Sequence, residues 1–183
     1  MLERLIAYHC GPALAGIKPA NLAACYKDKI ADIHLQVERL NAELNARDIY
    51  IEIMCECEKR VLLTVYRKKV MEKQLQNSRI SEFLSSFGYP AGSSVKVCID
   101  FLKNRLKEND FPHEIGVFLG YPLHDIDGFI NHRDEGCLLV GEWRVYDDCE
   151  GAKKLFSRYK ACRRALVKRL SGGQSLSQIF CAA

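Results

Sequence analysis

Residues 49–67, IYIEIMCECEKRVLLTVYR, carry the pattern that most restricts how this chain can fold. Ile49, Ile51, Ile53, Cys55 and Cys57 alternate with Tyr50, Glu52, Met54 and Glu56, so a strand would set the two groups on opposite faces. The polar turn EKR separates this run from a second β-rich one, VLLTVYR, at 61–67. Together they predict an antiparallel hairpin. A lone hairpin is at best marginally stable in water, so its apolar face needs another layer.

The flanking sequence offers such layers. Ile30, Ile33, Val37, Leu40 and Leu44 recur at helical spacing and predict a helix over 29–46. A long helix over 149–170 carries the stripe Ala152, Leu155, Phe156, Tyr159, Cys162, Leu166 and Leu170. Asp147, Asp148 and Glu150 stand at its start and basic residues at its end, both in favour with the helix dipole, and Gly172-Gly173 terminates it. A short helix over 2–9 is expected to stop before Gly11-Pro12, and a turn at 17–19 leads into a strand, Ala20–Tyr26. Two short helices fill 68–87, with Ser78 as cap of the second and Gly88 and Pro90 as its stop. Ser93 or Ser94 starts another, with Val95, Ile99, Leu102 and Leu106 inward. EIGVFLG at 114–120 reads as a buried strand, LHDIDGFIN as one or two helical turns, and CLLVGEWRVY at 137–146 as a further strand. A final turn covers 176–180. The expected fold is α+β (mixed α/β): a single domain over 1–183, with a sheet of about five strands that contains the hairpin, packed with helices.

With 183 residues, 48% hydrophobic and 27% charged, the chain has the composition of a soluble domain with a real core. No apolar run approaches the ~20 residues needed to cross a bilayer. The segment MLERLIAYHCGP lacks a long apolar stretch with a small-residue cleavage site. These features predict a cytoplasmic protein with no membrane partner. The nine cysteines are an odd number without an export signal, so they read as reduced thiols that pack as small hydrophobes. Cys55 and Cys57 continue the Ile49–Ile51–Ile53 face, and no second Cys/His pair lies nearby to complete four ligands. Both are therefore assigned to the core, and no metal site is assigned. A thiol-based metal or redox role stays as a lesser alternative.

The net charge is +4, yet Lys153, Lys154, Arg158, Lys160, Arg163, Arg164, Lys168 and Arg169 fall in one stretch without an acid. Phe156 and Tyr159 belong to the buried stripe of that helix, poorly placed to stack on bases. The basic residues therefore read as a solvated face, which disfavours nucleic acid as a partner.

Four groups of residues could carry chemistry. His9 and Cys10 place an imidazole beside a thiol, a pairing that can generate a thiolate nucleophile. Lys18 and Asn21, in GIKPANL, could hold an anion in a small-residue turn. His124, Asp127 and Asn131 line up on one side of the helical turn after Tyr121-Pro122. His113 and Glu114 enter at the far end of the expected 114–120 strand, roughly 20 Å from that turn at ~3.3 Å per residue.

The segments HCGPALAGIKPANL, FPHEIGVFLGYPLHDIDGFI and GEWRVYDDCEGAKKLFSRYKAC closely resemble the bacterial domain-of-unknown-function 3793 family, in order over nearly the whole chain. The resemblance brings no established activity or cofactor. It implies a cytosolic protein of anaerobic bacteria, in keeping with reduced thiols. The shared segments draw attention to His9, Lys18, Asn21, His113, Glu114, Tyr121, Pro122, Asp127, Trp143 and Tyr146.

The leading expectation is a small-ligand-binding protein or enzyme whose pocket gathers the 16–21 turn, the 120–127 turn and Trp143. Lys18, Asn21, Tyr121 and Trp143 would bind the ligand, an anion being favoured. His124 and Asp127 would act as acid and base, with His9 and Cys10 as a second catalytic candidate. The alternative is a non-enzymatic module that presents the basic helix or a sheet edge to a protein partner.

Overall fold

A three-stranded antiparallel sheet, in the order β1–β3–β2, lies at the centre of the computed structural model, which describes residues 1–108 and 110–181. Its strands are β1 (Ala20–Tyr26), β2 (Ile49–Glu56) and β3 (Arg60–Arg67), so the predicted hairpin forms and β1 pairs with its second arm. One face carries Ala23, Cys25, Ile49, Ile51, Val61, Leu63 and Val65. It is covered by α1 (Leu2–Leu14), α2 (Ile33–Leu44), the C-terminal half of α8 (Cys149–Ser171) and α9 (Leu176–Phe180). The other face carries Ala20, Leu22, Tyr50, Met54, Leu62 and Tyr66. Against it pack α3 (Lys68–Leu75), α4 (Ser78–Ser86), α5 (Val95–Arg105), α6 (Ile115–Phe118) and α7 (Leu123–His132). The period-two pattern of the hairpin thus builds two cores, one on each side of a thin sheet. Among the described residues no helix is long and apolar enough to cross a membrane.

The α+β class stands, but the expected five strands do not form one sheet. The segment read as a strand at 137–146 folds into a separate two-stranded ribbon, β4 (Leu139–Val140) and β5 (Arg144–Val145), which packs on the first half of α8. Gly141 sits at its turn, where the Phe156 ring leaves no room for a side chain.

The segment 114–120 is not a strand. Ile115–Phe118 is one helical turn that ends in a Schellman motif: Tyr121 N–H donates to Gly116 O at 2.9 Å and Gly120 N–H to Val117 O at 3.0 Å. Gly120 has φ +70°, the left-handed conformation that this cap needs. A short apolar run with burial all round looks the same for a strand and for a buried helix. Here the helical form also lets Gly116 sit against Ile126 and Tyr121, where a Cβ would come within 2.9 and 3.1 Å of their side chains.

Two further differences have local causes. Helix α1 runs through Gly11-Pro12 to Leu14, because its end is held from outside. Asn21 Oδ1 accepts from Ala13 N–H at 3.1 Å, and Arg67 Nε donates to Leu14 O at 2.8 Å. In β2 a bulge after Ile53 pairs Cys55 with Leu62 and so moves it off the Ile49–Ile51 face. Cys55 is half-buried and Cys57 exposed; the expectation that both lie in the core is overturned by that bulge.

Candidate functional site

The turns at 16–21 and 120–127 pack directly on each other. A Cβ on Gly120 would lie 2.5 Å from Pro19 Cδ, so glycine is what lets the two chains meet. This contact carries the Lys18 side chain into the protein, where it is 3% exposed. Its Nζ lies 5.1 Å from the centre of the Tyr121 ring and 5.3 Å from that of Tyr159. It forms no ion pair or hydrogen bond with any described residue. Every fully buried side-chain nitrogen and oxygen among the described residues has a partner, so this Nζ must keep a window to solvent. Burial pushes the Lys18 pKa down to about 8, with Glu142 opposing and Arg163 adding to the shift. Glu142 is committed elsewhere: Arg163 Nη1 and Nη2 donate to its two oxygens at 2.6 and 2.5 Å.

Tyr121 leads from this ammonium to an aromatic cavity. Its hydroxyl donates to Glu142 O at 3.1 Å, and its ring stacks on Trp143 with centroids 4.9 Å apart. Trp143 in turn meets Phe156 edge-on at 4.6 Å. Trp143 Nε1 donates to Asp125 Oδ2 at 2.6 Å, and Tyr146 N–H to Asp125 Oδ1 at 2.7 Å. Asp125 is 3% exposed, so its carboxylate fixes the indole and the ribbon backbone at once. Tyr121, Trp143, Phe129 and Phe111 wall a cavity of about 360 Å³, floored by Leu22, Ile115, Leu119 and Ile126.

His113 and Arg144 also line this largely apolar cavity. His113 Nε2 lies 2.8 Å from Arg133 Nη1, which can only donate, so that nitrogen must be the acceptor and Nδ1 must carry the proton. Burial, and then Arg133, lower the His113 pKa, in keeping with a neutral ring. Arg144 pairs with the exposed Asp134 and lies 5.8 Å from the Phe129 ring. The helical turn at 115–118 explains why His113 reaches this place. Helical rise is about 1.5 Å per residue, less than half that of a strand, so the expected 20 Å gap closes.

The chain belongs to the domain-of-unknown-function 3793 family. The family model, described as a protein of unknown function, matches residues 6–180. No curated protein and no solved structure matches the chain.

The structure gathers some of the family-like positions and separates others. Lys18, Tyr121 and Trp143 come together; Asn21 lies beside them but is spent on Ala13 N–H and, through its carbonyl, on Thr64. His124 and Asp127 do share a face, as their spacing implies, but it is the outer one, in an open groove with Asn131, His132 and Tyr146. Asp125 and Ile126, between them, turn inward; His124 Nε2 reaches Asp125 Oδ1 at 3.4 Å. His9 and Cys10 point apart. Cys10 is fully buried, and desolvation drives its thiol pKa far up, which leaves no thiolate for catalysis. Glu114, 1% exposed, is held by Arg105 Nε at 3.1 Å and by the Tyr89 hydroxyl at 3.3 Å, and ties α5 to α6. All nine cysteines are free, and the described residues hold no group of three or more His, Cys, Asp and Glu placed for a metal ion. Asp125 and Glu142 were missed by sequence reasoning, which named Arg163 only as one of the basic residues of α8. Helical phase gave no signal for Asp125, about 100° round the helix from Ile126; it is buried because Trp143 and the Tyr146 backbone close over its carboxylate.

Proposed function

We propose that the protein binds a small, planar and largely apolar molecule in the cavity walled by Tyr121, Trp143, Phe129 and Phe111. The carrying observation is the cavity itself: about 360 Å³, aromatic on several sides, with few polar groups, which is the usual build of a small-ligand site. Phe111 is 55% exposed at its edge, an apolar surface that a ligand would cover. The His113 Nδ1–H and the Arg144 guanidinium favour a ligand with one acceptor or acidic group at its polar end. The exposed pair of Arg144 with Asp134 is weak and can be exchanged for such a group. The free cysteines suit a reducing, cytoplasmic setting.

Trp143 is the one tryptophan of the chain and lines the cavity, so its fluorescence reports on the site directly. A panel of aromatic carboxylates should contain members that change Trp143 emission saturably. Leu22→Phe, which fills the floor, should abolish that change while the chain stays folded. If no member saturates, or if Leu22→Phe responds like the wild type, the cavity is not a ligand site.

A further inference from the structure

A second cavity lies on the other side of the Tyr121–Glu142 contact, between α1 and α8. The two helices come close at Gly11, where a Cβ would sit 3.2 Å from Leu166 Cδ1 and 3.3 Å from Arg163 Cα. Beside this contact lies a groove of about 610 Å³ lined by Tyr8, His9, Glu142, Lys160, Arg163, Arg164 and Lys168. Four cationic side chains face one carboxylate, so the groove carries 4 − 1 = +3 with His9 neutral. Glu142 is consumed by Arg163, and Lys160, Arg164 and Lys168 form no ion pair with any described residue. Burial and then the Arg163 charge lower the His9 pKa, so the imidazole is a neutral hydrogen-bonding group among fixed cations. The Lys18 ammonium adds to the same positive field from behind Glu142 and Arg163.

Tyr8 distinguishes this groove from a merely solvated helix face. It is 61% exposed, and among the described residues only His9 stacks on it, edge-on at 4.9 Å. A free aromatic ring beside unpaired cations suits a ligand with both a π-face and several negative charges. One exposed aromatic serves one base, whereas a nucleic-acid strand calls for successive stacking platforms. We propose that this groove binds a nucleoside di- or triphosphate, the base on Tyr8 and the phosphates across Lys160, Arg164 and Lys168.

The test is calorimetric titration of the full chain with ADP, inorganic diphosphate, adenosine and a single-stranded oligonucleotide. ADP should bind more tightly than diphosphate or adenosine, and less tightly as salt is raised. Arg164→Glu with Lys168→Glu should weaken ADP binding by more than about tenfold. Tyr8→Ala should weaken ADP several-fold and leave diphosphate binding as it was. Both cations are exposed, so the fold should survive their reversal; should it not, Arg164→Gln gives the same comparison. Absence of saturable ADP binding at millimolar concentration overturns the proposal, as does equal binding by the charge-reversed chain. Tighter binding of the oligonucleotide than of ADP also overturns it, in favour of a strand-binding surface.

Discussion

Replacing Lys18 with Met should stabilise the protein, which is the reverse of what removing a buried polar contact normally does. The ammonium is nearly out of water and has no carboxylate bound to it, so folding desolvates its charge at a cost. A fall in pKa from 10.5 to about 8 corresponds to about 3 kcal/mol of that cost at neutral pH. The rings of Tyr121 and Tyr159 return part of it, about 0.5–1 kcal/mol each. Lys18→Met keeps the chain length and removes the charge, so the net gain should be about 1–2 kcal/mol at pH 7. For a chain of this size that raises Tm by roughly 2–8 °C. The pH dependence supplies a second check. Below pH 8 the amine is protonated whether the chain is folded or not, and the cost is present in full. Between about 8 and 10.5 the unfolded chain keeps a proton that the folded chain sheds, so wild-type stability from this group rises with pH. The advantage of Lys18→Met should therefore shrink across that range. Tyr121 and Tyr159, both pushed up to about 12 by burial, work in the opposite direction, but they are common to both proteins and cancel in the difference. Urea unfolding of the two proteins from pH 7 to pH 10 measures it. A variant less stable than wild type by more than about 1 kcal/mol at every pH would refute the reasoning. It would mean that the ammonium is structurally paired.

Two further predictions concern groups around the cavity and the sheet. Asp125→Ala leaves the Trp143 Nε1–H and the Tyr146 N–H without an acceptor and should cost about 2–4 kcal/mol in urea unfolding; Asp125→Ala combined with Trp143→Phe should recover part of it, and strict additivity would argue against a shared carboxylate. Among the thiols, Cys57 should react first with iodoacetamide at neutral pH, since the N–H groups of Lys59 and then Arg60 lower its pKa, while burial raises that of Cys10 and Cys25; peptide mass mapping that finds Cys10 modified before Cys57 in the folded chain would contradict this.

The parts of the fold that sequence reveals are those with one dominant period. α2, the hairpin and the long α8 follow from alternation or from a helical stripe, and their neighbours only confirm what each segment prefers. The misread parts are those in which tertiary partners decide. Helix α1 continues through Pro12 because Asn21 and Arg67 come from elsewhere to hold its end. The bulge in β2 depends on how Cys55 meets Leu62 across the ladder, which alternation along one strand does not show. Ile115–Phe118 is helical because Gly120 takes the C′ position of a cap, whereas the same glycine read as a strand end is equally consistent with local pattern.

That last error matters most for the site. A strand at 114–120 would keep His113 far from Tyr121; a helical turn brings both onto one cavity. The ribbon then does the remaining work with adjacent residues. At the bend that joins its two strands, Glu142 lines the basic groove, while the next two residues, Trp143 and Arg144, line the aromatic cavity. The two cavities are therefore separated by a single layer, made of Tyr121, Glu142 and Trp143, with Lys18 lodged behind it. Arg163 holds both oxygens of Glu142, and Lys18 adds a weaker, longer-range attraction to the same carboxylate. The buried lysine is tolerated next to this pair because two tyrosine rings face its ammonium and Glu142 attracts it from a distance, although no carboxylate is bound to it directly.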